Sequence, residues 1–128
     1  MKPITKEWVA KAEGDWASAL REVRARKKPN YDSACFHAQQ CAEKYLKARL
    51  QEASTPFGKT HDLVKLLDQI MPIDPACGML RTDLTVLTDY AVDYRYPGKT
   101  ATKPEARDAI KRCRFVRAVI RQELGLNS

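Results

Sequence analysis

The sequence predicts an all-α protein, an up-and-down bundle of four long helices plus one short helix. Three observations lead there. Apolar residues recur at three- and four-residue spacing almost throughout, the period of a helix with one buried face. Breaker clusters, "KKPNYD", "STPFGK", "MPIDP" and "YPGKTATK", cut the chain into five such stretches. At 128 residues the chain has the length of one domain over 1–128, enough to bury a single core without disulfide or metal support.

The first helix is expected from about Lys6 to Arg26, with Trp8, Ala12, Trp16, Ala19, Leu20 and Val23 on one face and Thr5 as its cap. Asp32 or Asn30 caps the second, which continues to about Glu52. Its seam of Ala34, Ala38, Cys41, Tyr45 and Ala48, widened by Ala42 and Leu46, is dominated by small residues. Small side chains let a neighbouring helix approach closely, so this helix is expected at the centre of the bundle. Thr60 is expected to cap a short third helix with Leu63, Leu66, Leu67 and Ile70 as its apolar face. The fourth, about Pro75 to Arg95, buries Leu80, Leu84, Leu87, Ala91 and Tyr94, and Pro97 and Gly98 terminate it. The last runs from Pro104, well placed in a first turn, to about Leu124 and buries Ala106, Ala109, Ile110, Cys113, Val116 and Ile120.

The apolar runs are only a few residues long, and the amino terminus lacks the apolar core of a signal peptide, so a cytoplasmic location is expected. Cys35, Cys41, Cys77 and Cys113 form no Cys-x-x-Cys pair, and with two histidines no metal-ligand spacing is recognisable; buried reduced thiols and no metal or other cofactor are expected. "PFGKTHD" resembles part of a phosphate loop, but Ala53 stands where the earlier glycine belongs and no strand precedes it. The net charge of +7 suits a polyanion or an acidic protein surface, and equally a solvated basic exterior.

Three segments taken together, "YDSACFHAQQCAEKYLKARL", "GKTHDLVKLL" and "YAVDYRYPG", resemble the HEPN domain family over roughly Trp8 to Ile120. The resemblance implies a bundle of four or five helices that is frequently a homodimer. Such chains occur beside a minimal nucleotidyltransferase, often as toxin and antitoxin, and many bind nucleotides or cut RNA. Ribonuclease members carry an arginine followed four to six residues later by histidine on the late helices. Here Arg95 is followed by "YPGKTA", and both histidines, His37 and His61, lie upstream. The resemblance therefore does not carry that activity over.

Candidate site residues follow from side-chain chemistry. Gln39, Gln40, Glu43, Lys44 and Lys47 are expected to project away from the small-residue seam, so Gln40, Lys44 and Lys47 together could hold a phosphate. A solvated face with Glu43 and Lys47 as a modest ion pair fits the same pattern. Arg95 offers a planar fork for phosphate, and Tyr94 and Tyr96 offer stacking surface and hydroxyls, with Arg95 directed to the groove beside Lys44 and Lys47. Alternatively Arg95 pairs with Glu43 or Asp93 as a structural clamp. Arg107, Lys111, Arg114, Arg117 and Arg121 fall within about a third of the last helix's circumference, a basic stripe that could track phosphates. The expected function is nucleotide or RNA-phosphate binding alongside a nucleotidyltransferase partner. Two alternatives stand beside it: a metal-independent ribonuclease using His37 or His61 as acid or base, and an adaptor docking its basic last helix on an acidic protein.

Overall fold

A computed structural model describes residues 1–127. The chain forms helices α1 (Pro3–Arg24), α2 (Tyr31–Glu52), α3 (Leu63–Ile70), α4 (Arg81–Asp93) and α5 (Lys103–Glu123), with a 3-10 segment, Pro75–Leu80, leading into α4. No strand occurs among the described residues.

Helix α2 is central and packs against each of the other four. Ala34, Ala38, Cys41, Ala42 and Ala48 are fully buried, which is how neighbours approach it on several sides at once. Around this seam Tyr45, Leu46, Leu63, Leu67, Leu84, Leu87, Val116 and Ile120 complete one continuous core. All four cysteines are buried and free. Desolvation pushes the Cys35 and Cys77 thiols up to about 12, which makes them inert apolar filler.

The helix boundaries differ from expectation for identifiable reasons. Helix α1 begins at Pro3, and Thr5 is not its cap. Thr5 is fully buried in the first turn, where its Oγ1 donates to Glu52 Oε1 at 2.9 Å. The backbone N–H of Lys2 donates to the same oxygen, so the last residue of α2 satisfies an orphan donor at the start of α1. Of the two caps weighed for α2, Asn30 does the work, accepting from the Ser33 N–H at 2.9 Å. Asp32 instead accepts from the Ala101 N–H at 2.7 Å and ties the α4–α5 connection to the start of α2.

Asp62 caps α3 by accepting from the N–H groups of Val64 and Lys65, and Thr60 supports it by accepting from the Asp62 N–H. The single helix expected from Pro75 to Arg95 is divided. Its first six residues are 3-10, and α4 ends at Asp93 with Tyr94 as C-cap. Gly98 then takes φ +111°, a left-handed conformation that glycine adopts without strain. Helix α5 opens on a reciprocal capping box between Thr102 and Glu105.

Among the described residues, no helix is long and apolar enough to cross a membrane, and no group of three or more His, Cys, Asp or Glu side chains is placed to hold a metal ion.

Candidate functional site

The polar row expected on the outside of α2 is largely inside the protein. Gln39, Glu43 and Lys47 are only 3%, 3% and 5% exposed, because α1 lies along this face and the segment after α2 folds back over it. Glu43 receives Lys47 Nζ at 3.2 Å and sits 3.0 Å from His61 Nδ1. The Lys47 ammonium also lies 5.6 Å from the centre of the Trp8 ring and 5.9 Å from that of Phe57, two rings packed edge to face. Its charge is thus matched by a carboxylate and two aromatic faces. Lys47 is a core residue whose ammonium is already paired and turned away from solvent.

Gln40 Nε2 donates to Gln39 Oε1 at 2.8 Å. Lys44 Nζ meets Asp15 Oδ2 at 2.5 Å, and the other oxygen of Asp15 lies 2.8 Å from His37 Nδ1. Both histidines considered as acid or base therefore have a ring nitrogen engaged by a carboxylate, His37 across the α1–α2 contact and His61 on an exposed loop.

Arg95 is exposed; its backbone N–H donates to the Val92 carbonyl at 3.4 Å, and its guanidinium makes no hydrogen bond or ion pair among the described residues, so neither Glu43 nor Asp93 clamps it. The Asp32–Ala101 bond and the hydrogen bond from Tyr94 Oη to Glu105 hold this region at the first turn of α2. Lys47 lies 15 residues beyond Asp32, about 22 Å further along the helix at 1.5 Å per residue. Arg95 therefore does not face a groove shared with Lys44 and Lys47, which corrects the expected arrangement.

Tyr94 is half-buried and Tyr96 is 66% exposed. Tyr90 and Tyr94 stack at 6.2 Å, and each hydroxyl donates to a carboxylate of α5, Asp108 and Glu105. Desolvation and the Asp108 contact push the Tyr90 hydroxyl up to about 12; the bond to Glu105 raises that of Tyr94 as well. These two rings fasten α4 to α5.

The basic stripe on α5 divides into two halves. Arg117 grips Glu13 with two bonds of 2.8 and 2.7 Å, and Arg121 reaches the Tyr45 hydroxyl at 3.0 Å, which itself donates to Glu13. The Arg117 guanidinium holds the Glu13 carboxyl below its usual range, and the Glu13 carboxylate in turn raises Arg117. Arg107, Lys111 and Arg114 are exposed without an ion pair among the described residues, Arg114 resting 5.5 Å from the centre of the Trp16 ring.

Arg107 and Arg114 line an open groove of about 740 Å³ between the end of α1, the α1–α2 connection and the first half of α5. Arg24, Arg26 and Lys103 line it too, over a floor that includes Leu20, Val23 and Ile110. No carboxylate lines the groove, and none of the five cations has an ion-pair partner among the described residues. The charge run "RARKKP" ending α1 was the available signal for Arg24 and Arg26. Only the packing of α1 against α5 brings that run to Lys103 and Arg107.

This fold, with a small-residue helix at the centre of an all-α bundle, defines the class of protein. The family model for the HEPN domain matches residues 5–123, and the chain belongs to that family. Two solved structures show the same fold. TT1696 from Thermus thermophilus is 22% identical with a TM-score of 0.81, over 93% of this chain and 97% of that one. ST0689, an archaeal HEPN homologue, is 24% identical with a TM-score of 0.70, over 97% and 99%. No curated protein matches the chain.

Proposed function

We propose that this HEPN domain binds the phosphates of a nucleotide or of RNA in the groove between α1 and α5. The observation that carries the reading is five cations, Arg24, Arg26, Lys103, Arg107 and Arg114, facing one concavity that no carboxylate lines. Elsewhere on the molecule several cations are answered by acids, as at Lys44, Arg112 and Arg117. Unanswered charge over a partly apolar floor suits a ligand with phosphates on one side and a base on the other. Arg107 and Arg114 thus keep the role expected of the stripe, while Gln40, Lys44 and Lys47 do not line the groove.

The family resemblance supports a wider setting for this activity: a homodimer acting beside a nucleotidyltransferase, in a toxin–antitoxin or stress system. The decisive experiment measures binding of labelled single-stranded RNA and of ATP at low salt without metal. An Arg107→Glu, Arg114→Glu variant should lose at least tenfold in affinity, and Arg95→Ala should stay within twofold. Unchanged binding in the double variant would overturn the assignment. RNA cleavage that disappears in a His37→Ala, His61→Ala variant would favour the ribonuclease instead.

A further inference from the structure

Further round α5, on the side where Asp83 of α4 meets it, lies a second groove of about 460 Å³ with a different chemistry. Phe115, 43% exposed, and Ala118 give it an apolar lining on a helix that is otherwise charged on its outer side. Asp83 and Asp108 also line it, and both are already engaged. Arg112 binds Asp108 at 2.9 Å and Asp83 at 3.1 Å, and Tyr90 donates to Asp108 at 2.8 Å. Lys111 and Arg114, exposed and without an ion pair among the described residues, stand on its α5 rim.

A nucleic acid would carry phosphates past Asp83 and Asp108, whereas a helix can lay an apolar stripe over that lining and keep its carboxylates at the Lys111 and Arg114 rim. A half-exposed aromatic ring beside two cations is complemented by an apolar anchor flanked by acidic residues. Contacts of Tyr94 with Glu105, Tyr90 with Asp108 and Arg112 with Asp83 show α4 and α5 running antiparallel, so the groove follows the helix axes. A third helix laid along such a groove places residues of one stripe into it.

We infer that the α4–α5 groove is the docking site for an acidic amphipathic helix of a protein partner, its apolar stripe on Phe115 and Ala118 and its carboxylates on Lys111 and Arg114. This surface is distinct from the cationic groove on the α1 side, although Arg114 stands between the two.

The test uses the full chain and a labelled synthetic peptide, an amphipathic helix of leucines at i, i+4 and i+7 with glutamates elsewhere. A control peptide keeps every glutamate and replaces leucine with serine. Saturable binding by the leucine peptide is expected, at least tenfold tighter than the control. Ala118→Glu, which puts a carboxylate on the groove lining, should weaken it at least tenfold while changing single-stranded RNA affinity less than twofold. Phe115→Ser should act in the same direction and decides the matter if Ala118→Glu loses its helical circular dichroism. Equal binding of both peptides, no saturable binding, or insensitivity to these variants would overturn the inference. So would sedimentation showing a wild-type dimer that Ala118→Glu converts to monomer, since the occupant would then be a second copy.

Discussion

Lys47 shows how one side chain can be correctly paired from sequence and wrongly placed. Its spacing from Glu43 predicted the ion pair that exists, but an i, i+4 pair reads the same on a solvated face as beneath a neighbouring helix. What decided the matter was Trp8 and Phe57, brought over Lys47 from α1 and from the segment after α2. Removing one member of a buried pair leaves the other uncompensated, typically a loss of about 3 kcal/mol. Lys47→Ala should therefore lower the stability read from urea unfolding by about that amount, with RNA affinity unchanged within twofold. An intact fold with weakened RNA binding would return Lys47 to the ligand site. Arg95 illustrates the opposite difficulty. Its chemistry suits phosphate, yet sequence could not show that the α4–α5 connection is tied to the far end of α2.

At the scale of elements, most of the bundle was legible. Small residues at Ala34, Ala38 and Ala48 marked α2 as the central helix, and the apolar stripes of α3 and α5 named residues that are buried. Boundaries were less legible where several polar residues compete to cap. In "GKTHDL" the expected cap is Thr60, but Asp62 two residues on takes the role with a carboxylate that reaches two N–H groups. Asp62→Ala should cost about 1 kcal/mol in thermal or denaturant unfolding, and Thr60→Ala clearly less; the reverse order would mean that α3 begins at Thr60. The 3-10 turn before α4 carried no comparable signal. Gly78 packs there against Met71, whose Sδ and Cε lie 3.0 Å from where a Cβ would stand, and that close approach belongs to the tertiary structure.

Over the whole molecule, net charge was a poor guide to where charge is available. The stripe on α5 was readable as five cations, but two of them close a clamp with Glu13 and Tyr45 that joins α1, α2 and α5. Because Arg117 chiefly depresses the Glu13 carboxyl, the clamp stabilises the fold above the ordinary carboxylate range. That contribution is lost as pH falls through the depressed value. Arg117→Gln should lower stability at neutral pH and shrink the difference from wild type in acid, followed by urea unfolding across pH; a constant difference would show that Glu13 titrates normally.

Glu13 and Arg117 are also 104 positions apart along the chain while their atoms touch. Joining them requires the intervening helices to be nearly in place, since closing so long a loop is entropically costly before other contacts repay it. The α1–α2 hairpin needs no such wait. In kinetic language, the clamp belongs to the late side of the folding barrier, where it acts as a latch that slows opening and does little to hasten assembly.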